Sequence, residues 1–395
     1  MASNAAVFVA MYTARKEFIL TLLQKSGIVL ITLTDALIAR WMGDEAIGGF
    51  GLASLSLVMV AVVVGPHITV ASSEGTAALE GDHRDAAAQL FGAASLPPLM
   101  IPGVITLIVA VTLIPDFAFG DQAAAAADYL RWSIPAMVIG VIARGSVKAL
   151  RAAGDIVPTM ISSWVLAGVN LAFGLIAAHI GWGVEGLGFA TLMAELVSAP
   201  IAMVAARRRG LIAMPSWQVM RSVERTARGM LVATIPELLV KGFTLKTREM
   251  MGREELARFT MMRESLSAGD QISAQVAKAG SNRAMRGAEG LDLALAWSWK
   301  FRALAVPAVW VIAGWQTAAA LVLMEVALRE YIAQRTARDY VAQARSEGAE
   351  QVTRLALFAL LSTLNLLTAD NLLWAWLTGN AVYVIIGRHY RARER

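Results

Sequence analysis

Three polar side chains stand in stretches of sequence that are otherwise almost wholly apolar, and these are the first candidates for chemistry. Asp35 interrupts an apolar run over residues 18–39. A carboxylate in such a setting costs on the order of several kcal/mol if it is ionised and unpaired. It must therefore be protonated, paired or hydrated, and burial favours the protonated form, so Asp35 is suited to taking up and releasing a proton as its exposure changes. The competing reading is a solvated span end, since Arg40 follows five residues later. Asn170 lies inside the run 157–180, where its amide can serve a carboxylate, a cation or a backbone carbonyl. It can equally act as a plain tie between helices. Glu195 lies within 185–206 and needs a partner or a wet cavity, with a hydrogen bond to a facing serine or backbone group as the structural alternative.

A second group is of opposite sign. Lys241, Lys246, Arg248, Arg258 and Arg263, with Asp270, fall in or beside two further helical segments, 229–247 and 255–278. So many charges cannot face lipid, so either they line a hydrated cavity or the segments lie partly outside a membrane. Lys241, Lys246 and Arg263 lining a cavity would favour phosphates or carboxylates as ligands. Arg335, Arg338, Asp339 and Arg345 pose the same question further on.

Other chemistries lack their residues. There is no GxxxxGK[ST] phosphate loop, no HExxH and no GxSxG, and His67, His83, His179 and His389 have no ligand spacing. With no cysteine, thiolate metal sites and disulfides are excluded. The expectation is no enzyme, no cofactor and no metal. The net charge of +5 does not by itself point to nucleic acid, because the placement of the basic residues matters more than their sum.

The elements that position these residues follow from composition. Of 395 residues 57% are hydrophobic and 16% charged, against about 25% charged in soluble domains, so the chain needs an apolar solvent. A membrane-spanning helix takes about 20 apolar residues; the runs 45–68, 87–114, 157–180 and 185–206 supply them. The fold expected is all-α and polytopic. Its helices fall near 18–39, 45–68, 87–114, 124–145, 157–180 and 185–206, then 229–247, 255–278, 296–325, 328–343, 354–368 and 370–387. Pro97, Pro98 and Pro102 should bend the third. Domains are expected at 1–206, a first lobe; 207–228, a basic cytoplasmic linker; and 229–395, a second, more polar lobe.

Arg15 and Lys16, then Arg144, Lys148 and Arg151, then Arg207 to Arg209 alternate with acid-rich loops. The positive-inside rule then places both termini in the cytoplasm. Arg15 and Lys16 precede an apolar run that ends in Asp35 rather than in a small-residue cleavage site, so the first span is expected to be retained. The halves echo one another. A shift of 209 sets Met42, Gly43 and Glu45 on Met251, Gly252 and Glu254, and a shift of 194 to 195 sets Arg151, Gly154 and Asn170 on Arg345, Gly348 and Asn365. Two six-helix repeats, with a transport site between them, are the expectation.

Three stretches resemble the multidrug and toxic compound extrusion (MATE) transporters and their wider superfamily of flippases. They are Thr34-Asp35-Ala36 with Arg40 to Ile47; Ala71 to Ala86 with Glu80-Gly81-Asp82; and Leu150 to Asp155 with Pro158, Asn170 and Gly186 to Thr191. The resemblance is good over 15–206 and faint beyond. It implies a twelve-helix, two-lobe antiporter of a bacterial cytoplasmic membrane that exports small amphipathic, often cationic compounds against protons or sodium, acting as a monomer. It makes Asp35 the ion-coupling carboxylate and Asn170 its partner, with Glu195, Lys241, Lys246 and Arg263 as candidates for the substrate cavity. Two departures stand out. Gly174 occupies a position where the family often has an aspartate, which favours protons over sodium, and the acid nearest the seventh helix is Glu237, followed by lysines. An exporter or flippase of an anionic or lipid-linked substrate, and a non-transporting relative, are the alternative readings.

Overall fold

The protein is described by a computed structural model covering residues 29–285, 291–337 and 340–393, with Ile19, Leu23, Gln24, Ser26 and Gly27 before them. Arg15, Lys16, Arg338 and Asp339, used above for topology or as unplaced charges, lie outside the described residues. All regular structure among the described residues is helical. The helices are α1 (described without interruption over 29–42), α2 (Asp44–Glu80), α3 (Arg84–Ala94), α4 (Met100–Thr112), α5 (Pro115–Phe119), α6 (Ala123–Ala152), α7 (Val157–His179) and α8 (Gly183–Arg208). They continue with α9 (Trp217–Glu249), α10 (Arg253–Met285), α11 (Leu291–Ala337), α12 (Tyr340–Thr363) and α13 (Ala369–Arg393). Four long helices and α11 are apolar and long enough to cross a bilayer: Asp44–Glu80, Pro115–Ala152, Val157–His179, Gly183–Arg208 and Leu291–Gln334.

Two expected boundaries move, each for a local reason. The run 87–114 is broken rather than bent: α3 stops at Ala94 and α4 starts at Met100. Pro97 and Pro98 fall in the gap, where a proline cannot donate to the preceding turn and disfavours helix in the residue before it. The expected break near 326 is absent, and α11 instead changes direction at Gly314 (φ 85°, ψ 169°), a backbone region open essentially only to glycine. With α3 and α4 taken as one broken passage, the short α5 joined to α6, and α11 taken as two, the described helices make twelve passages, six in each half.

The 209-residue shift sets turn on turn. Gly43 closes the turn between α1 and α2, and Gly252 the turn between α9 and α10. The second shift does not: Gly154 lies in the α6–α7 turn but Gly348 inside α12, and Asn170 lies mid-helix while Asn365 is a left-handed turn residue (φ 53°).

The backbone divides into two packing units, Thr34–Arg253 and, separately, Glu254–Arg395 with the residues up to Leu33. In the first unit α8 packs on both α6 and α7, and α2 packs on α6, α3 and α9. Glycine allows the closest approach: a side chain at Gly188 of α8 would strike the backbone carbonyl of Tyr129 on α6. One end is tied by Glu185, which accepts from Trp132 Nε1 (3.0 Å) and Arg131 (3.2 Å), beside edge-on contacts of Phe189 with Trp132 and Phe173. The segment expected to be a linker is built into this unit. Leu211 joins Phe91 and Ala149 in a buried cluster, Ala213 donates to the Ala88 carbonyl (3.0 Å), and Trp217 opens α9 behind a Ser216 cap.

The interior is mostly apolar, yet large apolar side chains also lie on the surface and several charged or amide groups are buried. Ile101, Ile105 and Leu113 on α4, Ile176 on α7, and Leu304, Val311 and Trp315 on α11 are exposed, whereas Asp35, Asn170, Arg302, Glu325 and Gln334 are buried. Exposed apolar area on this scale needs a covering, and apolar spanning helices supply the reason: it faces lipid.

Candidate functional site

The first unit brings together the two residues singled out on α1 and α7. Asp35 is 3% exposed and Asn170 is fully buried; Asn170 Nδ2 donates to Asp35 Oδ1 at 3.0 Å across 135 residues of sequence. The other amide atom, Asn170 Oδ1, is buried and accepts from no described residue. A buried acceptor left open beside a carboxylate is costly unless a water, ion or proton serves it in some state. One turn along α7, an added carbon at Gly174 would lie 3.1 Å from Ile38 Cδ1 and 3.4 Å from Leu187. Apolar atoms therefore close the space where a further carboxylate would bring oxygens.

Glu195 is not hydrogen-bonded to a serine; Ser162 on α7 donates instead to the Ser198 carbonyl at 2.8 Å. The Glu195 carboxylate lies against Gly140 of α6, its Oε1 2.8 Å from where a Cβ would stand, and its charged neighbour is Arg144.

The lysines of α9 are matched by acids of the same helix. Lys241 pairs with Glu237 one turn back (3.3 Å) and Lys246 with Glu249 (2.6 Å). Lys246 also donates to the Phe117 carbonyl and lies 4.1 Å from the centre of that ring. Arg248, 2% exposed, reaches back to α2 and donates to the Gly51 carbonyl (3.4 Å). Arg263 belongs to the other unit, where it pairs with its neighbour Glu264 (2.5 Å). The cations expected around one cavity thus carry local counter-charges.

The second unit holds a cluster that hydropathy did not single out. Arg302, fully buried, pairs with Asp270 of α10 and, beyond the Gly314 bend, with Glu325 (3.1 Å) and the Leu321 carbonyl (3.0 Å). Glu325 also receives Arg329 (3.0 Å). A turn further on, Tyr383 donates to Gln334 Oε1 (2.9 Å) and Gln334 to buried Glu330 (3.1 Å). The one sequence signal was Arg302 itself, a cation at the head of an apolar run. No group of histidine and acidic residues among the described residues has metal-binding geometry.

No family model and no curated protein matches the sequence. Solved structures do match its fold. A MOP superfamily transporter from Pyrococcus furiosus is similar over 95% of this chain and 94% of its own, at 18% identity and a TM-score of 0.67. A multidrug resistance MATE family transporter in its inward-facing conformation matches over 92% and 94%, at 16% identity and a TM-score of 0.69. The eukaryotic MATE transporter AtDTX14 matches over 97% and 96%, at 13% identity and a TM-score of 0.71. The fold is that of the MATE transporters along nearly the whole chain, including the second half where the sequence resemblance was faint.

Proposed function

We propose that a chain with this fold works as a proton-coupled secondary transporter of the MATE type, exporting small amphipathic compounds across a bacterial cytoplasmic membrane. Asp35 carries the proton and Asn170 holds its carboxylate. The observation that carries the reading is the buried Asp35–Asn170 contact beside an open acceptor; the similarity in fold to transporters supports it.

Coupling follows from how one amide can serve two protonation states. Ionised Asp35 accepts from Asn170 Nδ2. Protonated Asp35 carries an O–H that needs an acceptor, and the same amide turned over presents Oδ1. Proton and cationic substrate then compete for one carboxylate, so that loading one releases the other; this is the exchange an antiporter needs. Sodium fits less well. Hard cations gather about six oxygen ligands, and Gly174 supplies no side-chain oxygen where Ile38 and Leu187 close the space.

The test is Asp35→Asn in liposomes. Each pH unit is worth about 1.4 kcal/mol per proton, so a gradient of about two units can sustain up to about a 100-fold substrate ratio at one proton per cycle. The variant should insert normally and only equilibrate substrate, with a ratio near one. A variant that still concentrates substrate as the parent does would remove Asp35 from the mechanism.

A second reading, export or flipping of an anionic or lipid-linked compound, draws on the Pyrococcus furiosus neighbour, whose binding pocket is described as reversed in polarity and as suggesting a different function. There Lys241, Lys246 and Arg263 serve the substrate, although Glu237, Glu249 and Glu264 already face them. Neutralising the three should then abolish anion transport and spare cationic-dye efflux.

A further inference from the structure

The first unit keeps a surplus of positive charge that the coupling pair does not use. Arg144, Lys148 and Arg151 follow one another at spacings of four and three on α6, which puts them on one face. Arg144 and Lys148 are exposed, although eight and four residues separate them from the end of the helix at Ala152. Among the described residues none of the three makes a hydrogen bond or ion pair, and the buried Arg151 Nε has no partner. The Lys148 ammonium instead feels both arginines as like charges. Among the described residues the carboxylate facing the stripe is Glu195 of α8, lodged against Gly140 and acting on Arg144. Asp155, the next acid at this end, is taken by Arg209. Three cations facing one acid leave two positive charges without a counter-ion.

We propose that this face of α6 is a binding site for a phosphate group. Two guanidinium forks flanking an ammonium match the chemistry of phosphate oxygens, which arginine binds bidentately and lysine as a point charge. The stripe spans about 10 Å at 1.5 Å per residue, room for a phosphodiester or a diphosphate. It ends where α6, α7 and α8 meet at the arginine-rich end of the unit, so the phosphate can come from an anionic lipid headgroup or from a free anion. Glu195 opposes the ligand and sets its affinity.

Purified protein in detergent is titrated with inorganic phosphate, with pyrophosphate and with short-chain phosphatidylglycerol, using phosphatidylcholine as control, and the shift of the unfolding temperature is read as saturable binding. A response to the soluble anions names a free phosphate compound; a response to phosphatidylglycerol alone names a lipid headgroup. Arg144→Gln with Lys148→Gln should weaken binding about tenfold or more for each charge removed. Lys148→Arg should keep it. Glu195→Gln should strengthen it severalfold, a gain that a purely structural role would not produce. Arg221→Gln with Arg225→Gln, the same charge change on an exposed part of α9, should leave the response unchanged. No response to any phosphate probe, a response that survives loss of Arg144 and Lys148, or one lost equally in the α9 control overturns the assignment.

Discussion

Replacing Arg302 by methionine tests whether the charges of the second unit form a matched set. In the parent, one fully buried guanidinium holds Asp270, Glu325 at 3.1 Å and the Leu321 carbonyl at 3.0 Å. Methionine keeps much of the volume and removes the cation, so buried Glu325 keeps only its pair with Arg329 and Asp270 loses this partner. Breaking a buried ion pair by removing one partner costs about 3–5 kcal/mol. For a unit of this size each kcal/mol is worth about 2–4 °C in unfolding temperature. The expected fall is then about 6–20 °C, followed by tryptophan fluorescence in detergent. The sharper expectation concerns the triple change, Arg302→Met with Asp270→Leu and Glu325→Leu. A buried ionic set replaced whole by apolar groups is often neutral or stabilising, so the triple variant should regain most of what the single one loses. A drop of less than about 1 kcal/mol in the single variant, or a triple variant no better than the single, would refute the reasoning.

Two further expectations follow from backbone and packing. Gly314→Ala forces a side chain into a glycine-only conformation and should cost about 1–3 kcal/mol, visible as a lower unfolding temperature with helix content unchanged by circular dichroism. Asn170→Leu removes the amide that donates to Asp35 Oδ1 at 3.0 Å, so coupled transport in liposomes should fall severalfold or more while the protein still inserts; unchanged coupled transport would show that the amide plays no part in coupling.

How much of this was legible in the sequence depends on whether the signal was local. The helices α7 and α8 match their runs closely because each is an uninterrupted apolar stretch bounded by a turn with a left-handed glycine, Gly154 or Gly181. The break at Gly314 was hidden, since glycine is common inside membrane helices and only the backbone angles distinguish a kink from a packing glycine. Asp35 and Asn170 could each be picked out as polar residues in apolar runs, but their contact spans 135 positions and is set by the packing of α1 and α7. Arg302 escaped for the same reason: its partner Asp270 is 32 residues away. The stripe Arg144, Lys148 and Arg151 was legible, but as a mark of topology rather than as a face.

The connection from α8 to α9 changes what a half of this protein is. With Leu211 and Ala213 tucked against α3, and Lys246 and Arg248 bound to Phe117 and Gly51, α9 belongs by packing to the first unit although the 209-residue echo assigns it to the second repeat. The sequence echo and the packing units are therefore offset by a helix. A fragment cut where the echo restarts would carry α1 to α8 without the helix that packs against α2, so the half that reads as one repeat is not a body that packs by itself.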